Sequence, residues 1–208
     1  MIFRDRKDAA TRLAEALAQY RGQNPLVLAI PRGAVPMAKI IANALGGEVD
    51  VVLVRKLRAP GNPEFAIGAV DETGWTYLGD YAEHVAGSSQ YIEAEKEMQL
   101  KVMRERRASY TPVRPPLDPA GRIVIVVDDG LATGSTMIAA LHALRAKHPQ
   151  KLICAVPVAP PETLDKVSPY ADAVVCLSAP AIFYAVGQFY QSFPQVSDEE
   201  VIALLAAD

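Results

Sequence analysis

The sequence predicts an α/β fold, a parallel sheet flanked by helices, with a hairpin-plus-helix insertion and a small C-terminal hood. Three observations predict it. Short, continuous apolar runs alternate with helix-length segments near both ends of the chain, as strands covered on both faces require. The middle breaks that alternation with turn-forming residues and one long charged stretch. The end is aromatic and irregular before a last short helical pattern. Residues 1–208 are expected to form one domain, with a core at about 22–58 and 120–178, an insertion at about 59–119 and a hood at about 179–208.

Ala9, Leu13, Ala16, Leu17 and Tyr20 share a helical face, and Gly22 ends that helix. Leu26 to Ile30 is a continuous apolar strand that breaks at Pro31-Arg32-Gly33, after which a helix runs from Val35 to Leu45 and stops at Gly46-Gly47. Val49 to Val54 reads as a second buried strand ending in Arg55-Lys56. A Pro/Gly loop from Arg58 then leads into a hairpin over Phe65 to Leu78, turning on Asp71-Glu72-Thr73-Gly74. A charged helix follows over Ser89 to Ser109. Its cluster Arg104-Glu105-Arg106-Arg107, with Glu93, Glu95 and Glu97 on earlier turns, reads as a solvated face in preference to an anion site. Four prolines between Thr111 and Pro119 make an extended connector. Strand Ile123 to Val127, helix Ser135 to Lys147, strand Leu152 to Val158, helix Pro161 to Val167 and strand Ala173 to Leu177 restore the alternation, and a helix over Ser197 to Ala206 closes the tail.

Composition narrows the function classes. The 208 residues are 50% hydrophobic and 22% charged, ample for a buried core. The longest apolar runs fall far short of the roughly 20 residues of a membrane-spanning helix, so no membrane partner is expected. A net charge of -3 offers no global attraction for nucleic acid, and no nucleic-acid partner is expected. Anionic ligands must then be held locally. Met1 to Asp8 mixes both charges around no apolar centre, unlike a signal or transit peptide, and a cytoplasmic location is expected. Cys154 and Cys176 lie in apolar strands and read as core thiols. His84, His142 and His148 are scattered, and no metal-ligand spacing occurs, so no protein-caged metal is expected.

One segment carries chemistry. Ile123 to Val127 runs into Asp128-Asp129-Gly130-Leu131-Ala132-Thr133-Gly134-Ser135-Thr136, where a helix starts. Gly134 permits a tight turn, Thr133, Ser135 and Thr136 supply hydroxyls, and the first helical amides point outward unpaired with the helix dipole behind them. That is a cradle for a monophosphate. Two carboxylates directly before it would repel a phosphate unless they face something else, and the neighbouring hydroxyls of a sugar suit them. The spacing describes a ribose held by its diol at one end and its 5-phosphate at the other. A P-loop would need a Lys after the Gly, and a dinucleotide site a G-x-G-x-x-G; neither is present.

Here the sequence resembles the type I phosphoribosyltransferase family, whose signature is an apolar strand, two acids, a short loop and Thr-Gly followed by small residues. The resemblance covers about Leu26 to Arg58 and Arg122 to Leu177. It implies that Asp128 and Asp129 hold the ribose hydroxyls of 5-phosphoribosyl 1-diphosphate (PRPP) and act catalytically, while Gly130, Leu131, Ala132, Thr133, Gly134, Ser135 and Thr136 wrap the 5-phosphate. Pro31, Arg32 and Gly33 resemble the family's diphosphate loop, which often contains a strained or cis peptide. Arg55 and Lys56 resemble its basic residues near the diphosphate, and Lys56 joins the catalytic set. Magnesium would arrive with PRPP and need few protein ligands. A mobile loop is implied after the second strand, and Arg58 to Glu64 is its candidate.

The implied activity is transfer of phosphoribose to an acceptor such as a nucleobase, with release of diphosphate, within nucleotide metabolism. Many 6-oxopurine members carry an acid immediately before Thr-Gly; Ala132 stands there, which argues against that class. The family's hood reads the acceptor, and Phe183 and Tyr184 are the candidate rings, although packing of these aromatics onto the sheet fits the residues equally. The expected partners are small molecules, PRPP and its acceptor, with a homodimer as the expected assembly. The rival reading is a non-catalytic regulatory protein of the same fold that binds PRPP or a nucleotide. Arg32, Lys56 and the loop favour catalysis, and the acidic balance disfavours a nucleic-acid-binding regulator.

Overall fold

The apolar runs become strands because each is long enough to cross a layer and has helices to cover it. In the computed structural model, which describes residues 1–207 and leaves Asp208 of the expected domain outside the described residues, the chain opens with α1 (Arg6–Ala16), β1 (Leu26–Ala29), α2 (Ala34–Leu45) and β2 (Glu48–Val51). A second group follows: β3 (Val54–Ala59), β4 (Asn62–Asp71), β5 (Thr76–Leu78), α3 (Ala82–Ala86) and α4 (Ser89–Tyr110). The last group is β6 (Ile123–Val127), α5 (Ser135–Arg145), β7 (Lys151–Val158), α6 (Pro161–Val167), β8 (Ala173–Ser178) and α7 (Asp198–Ala206).

Five strands pair in parallel in the order β2-β1-β6-β7-β8, with Val27 beside Ile125 and Ile125 beside Ile153. One face of this sheet buries Val27, Ile125 and Ile153 among residues of α1 and α2; the other buries Leu28, Val126 and Cys154 against α5. The expected α/β architecture is therefore the architecture found. Strand order reverses between β1 and β6, and in open α/β sheets the crevice beyond such a reversal is where ligands bind.

The main difference lies after β2. The sequence reading makes Val49 to Val54 one strand of the parallel sheet. In the structure the parallel ladder ends with Val52, whose amide donates to the Ala29 carbonyl at 3.0 Å. Val54 then begins a separate antiparallel sheet, β3-β4-β5, pairing with Asp71. Both halves of the run are apolar and no turn residue separates them, so composition gives no sign of the change of sheet. The expected hairpin is present. Asp71 Oδ1 accepts from the Thr73 amide at 2.8 Å and the Trp75 amide at 3.0 Å, fixing the turn, and Gly74 takes a positive φ of 90°. Helix α3 is not expected from the sequence.

Helix α4 also departs from a fully solvated face. Glu95, expected on it, is 5% exposed and pairs with Arg58 at 2.8 Å. Burial alone would raise its pKa, but the Arg58 and Gln99 hydrogen bonds bring it below the usual glutamate value. Arg106 pairs with Asp198 at 3.5 Å and Arg107 with Glu72 at 2.6 Å, so two of the three clustered arginines are tied to other elements.

Candidate active site

The two strands that flank the reversal deliver their loops to one place. β1 leads through Ile30 into Pro31-Arg32-Gly33, where the Pro31–Arg32 peptide is cis, and β6 leads into Asp128-Asp129. The loops touch: a Cβ on Gly33 would lie 2.5 Å from Asp129 Oδ2 and 2.8 Å from Arg6 Nη2. A side chain there would displace the Arg6–Asp129 pair.

Asp128 Oδ1 accepts from the Asp129 amide at 2.9 Å. Burial pushes the Asp128 pKa well above the usual aspartate value, and the Asp129 charge adds to the rise while Lys56 opposes it. Asp129 is also raised by burial, against the pull of Arg6, whose Nη2 lies 3.2 Å from Asp129 Oδ2. Two such carboxylates gain by accepting hydrogen bonds or by neighbouring a cation, which is what a ribose diol and a substrate-borne magnesium offer.

The turn after them is buttressed from below. Leu131 is buried and its amide donates to the Val158 carbonyl at 2.9 Å. Thr163 Oγ1 donates to the Ala132 carbonyl at 2.6 Å, and a Cβ on Gly134, where φ is +81°, would meet the Thr163 methyl at 2.8 Å. Thr133 Oγ1 and Ser135 Oγ are 3.2 Å apart at the start of α5. A cavity of about 130 Å³ opens beside these two hydroxyls, with Lys166 from α6 and Phe65, Tyr77 and Tyr81 from the insertion on its walls. The turn thus has hydroxyls, a helix N-terminus and a lysine on one small space, which suits a phosphate, with Asp80 as the carboxylate on the same wall.

The expected basic pair separates. Successive residues of β3 face opposite ways. Lys56 is exposed on the side of Asp128, whereas Arg55 Nε donates to Gln99 Oε1 of α4 at 2.9 Å. Burial and then the nearby guanidinia of Arg106, Arg58 and Arg32 hold the Arg55 pKa down. Arg32 itself sits 3.8 Å from Asp198 at the start of α7.

The hood meets the site through residues that the sequence does not single out. The Phe3 amide donates to the Phe189 carbonyl at 2.8 Å and the Gln191 amide donates to the Phe3 carbonyl at 2.8 Å, tying the N-terminal segment to the hood and setting Arg6 over Asp129. Arg6 also donates to the Pro194 carbonyl and lies 4.0 Å above the Phe193 ring. Tyr190 donates its hydroxyl to the Asp129 carbonyl at 2.6 Å. A Cβ on Gly130 would meet Val186 at 2.6 Å. Of the two named acceptor rings, Phe183 packs 5.1 Å from Phe189 and Tyr184 is 86% exposed. Arg6, Tyr190, Lys166 and Asp198 carry no local pattern that marks them; a one-residue charge or phenol in an unremarkable stretch is all the sequence offers. Among the described residues no group of three or more His, Cys, Asp or Glu side chains is placed to hold a metal.

The family model of the phosphoribosyl transferase domain matches residues 2–192. Proteins from two strains of Mycobacterium tuberculosis, provisionally named as phosphoribosyl transferases, are each 42% identical over 207 residues, covering 98% of this chain and 46% of theirs. The chain thus spans about half the length of the curated relatives it matches. The crystal structure of a Thermus thermophilus protein, TT1426, is 48% identical, covers 99% of this chain and 98% of that one, and superimposes with a TM-score of 0.81.

Proposed function

The chain belongs to the phosphoribosyl transferase domain family, and on that premise we propose that it transfers the 5-phosphoribosyl group of PRPP to an acceptor, releasing diphosphate. The observation that carries this reading is the meeting of Asp128-Asp129, the hydroxyl-lined turn through Thr136 and the Pro31-Arg32-Gly33 loop at one strand reversal. Asp128 and Asp129 accept from the ribose hydroxyls and favour the positive charge that develops on the sugar as its bond to diphosphate breaks. The amides and hydroxyls of Gly130, Leu131, Ala132, Thr133, Gly134, Ser135 and Thr136 hold the 5-phosphate. Arg32 and Lys56 draw the departing diphosphate, with Arg55 adding positive field from the α4 side. Asp128 and Asp129 would lie beside a magnesium ion brought in with PRPP, which would supply further neutralisation of the leaving group. An acceptor nucleophile, a nucleobase nitrogen in our reading, forms the new bond at the anomeric carbon with inversion. Ala132 leaves no acid to serve a 6-oxopurine. Tyr184, with its ring in solvent, is the hood residue free to stack on an acceptor.

A second reading, ligand binding without turnover, is favoured by one observation: Arg6 already occupies Asp129. Magnesium-dependent diphosphate release against a panel of nucleobases, run beside calorimetric titration with PRPP, separates the two. Turnover with one acceptor class is the expected result; tight PRPP binding with no turnover would favour the regulator, and no binding would sink both. Replacing Asp128→Asn with Asp129→Asn should weaken PRPP binding by about a hundredfold or more, since hydrogen bonds to charged groups contribute about 1.5–3 kcal/mol each. Unchanged affinity with an unchanged circular dichroism spectrum would make the acids structural only.

A further inference from the structure

Helix α1 starts in a fixed place, because Asp5 caps it by accepting from the Asp8 amide at 2.8 Å and Phe3, just ahead, is buried against Tyr190 of the hood. Arg6 is its first residue. A cation in the first turn stands against the helix dipole, so its presence there asks for another reason. The Arg6 side chain is only 12% exposed and is held on three sides. Nη1 donates to the Pro194 carbonyl, the guanidinium lies 4.0 Å from the centre of the Phe193 ring, and Nη2 and Nε reach Asp129 Oδ2 at 3.2 and 3.4 Å. Tyr190, whose hydroxyl holds the Asp129 carbonyl, stacks on the same Phe193 with centroids 4.7 Å apart. One aspartate is thus gripped by its main chain and by one oxygen of its side chain, from two distant parts of the sequence.

We infer that Arg6 is a positioning residue for Asp129: it fixes the carboxylate through Oδ2 and leaves Oδ1 to a ribose hydroxyl of PRPP. The inference rests on the PRPP reading given above. Two adjacent carboxylates repel, and a short aspartate side chain left alone on this turn would swing away from its neighbour or share a proton with it. Either change removes an acceptor. A cation held on one oxygen offsets the repulsion without closing the other, and the Asp129 side chain keeps 18% of its surface open to a ligand. Arginine suits the task, since its fork serves the Pro194 carbonyl with one arm and Asp129 with the other while its flat face rests on a ring. An ammonium cannot do all three. Gly33 belongs to the same device, because a Cβ there would stand 2.8 Å from Nη2. The hood, expected only to read the acceptor, thereby also sets the ribose end of the site.

A double-mutant cycle on the whole chain, read by calorimetric titration with PRPP and magnesium, tests this. Arg6→Met, which keeps an unbranched chain on Phe193 and removes the cation, should weaken PRPP binding about tenfold, the effect of one charge-assisted hydrogen bond. Asp129→Asn should do the same. Because Arg6 acts through Asp129, the double variant should also lose about tenfold, in place of the roughly hundredfold of two independent losses. Arg6→Lys, with the charge but not the fork, should fall between the parent chain and Arg6→Met, and it carries the cycle if circular dichroism shows Arg6→Met unfolded. Full additivity would make Arg6 a direct ligand or a support of the fold, and tighter binding by Arg6→Met would make it a plug that PRPP displaces; either result overturns the inference. A loss in Asp129→Asn with none in Arg6→Met overturns it alone. Equal affinity in Asp129→Asn and the parent chain would remove the assigned role of the acid and this inference together.

Discussion

Asp128 shows how a single side chain can be arranged for binding at a cost to stability. Its carboxyl titrates higher in the folded chain than in the unfolded one, where the ordinary value is 3.8, because burial and the Asp129 charge oppose ionisation. The stability it contributes is therefore complete below that ordinary value and is lost as pH rises through the folded value. Asp128→Asn mimics the protonated form at every pH. Its melting temperature should exceed that of the parent chain at about pH 8, and the gain should shrink as the pH falls toward about 5. A scan showing a constant difference, or a destabilised variant at pH 8, would contradict the raised pKa. The acid pair itself was legible because two adjacent carboxylates between an apolar strand and a small-residue turn are a local pattern. Arg6 was not: it reaches Asp129 across 123 positions of sequence, and nothing near it distinguishes it from the other charges of α1.

The three-stranded insertion sheet docks on the core by burying Val54 and Ala69 beside α5 and Leu57, Ile67 and Val70 in the other apolar cluster, with one pair of rings and an ion pair added to them. Trp75, beyond the β4–β5 turn, stacks on His142 of α5 with centroids 3.6 Å apart and planes 7° apart, and Arg58 grips Glu95 on α4. Trp75 is the only tryptophan in the chain. Replacing it with Ala should lower the unfolding free energy by about 1–3 kcal/mol, because a half-buried aromatic contact and its stacking are lost. Urea unfolding followed by circular dichroism would show this; an unshifted midpoint would mean that the stack holds nothing. At this scale the sequence was generous with existence and sparing with boundaries. The hairpin, α4 and the central strands follow from periodicity and turn residues. The division of Val49 to Ala59 between two sheets does not, because the chain changes partner without any change of composition.

For the molecule as a whole, the alternation of strands and helices announced a parallel sheet but not its order. Order is settled by which apolar faces meet, and the meeting of β1 with β6 places residues 29 and 127 side by side. Two clusters of buried side chains, one on each face, clamp β1, β6 and β7. Amide hydrogen exchange should accordingly be slowest in those strands and faster in β5 and the first four residues of β4, which no buried layer covers. Uniform protection across both sheets would show that they open as one unit. The contact between Arg32 and Asp198 couples this global picture back to the site. Any anion that recruits Arg32 has to take it from the first residue of α7, so helix and ligand compete for one guanidinium. A partly exposed pair of this kind is worth at most about 1 kcal/mol, yet competition is reciprocal. Occupancy at the loop loosens the last helix, and whatever tightens the last helix raises the concentration of anion needed at the loop.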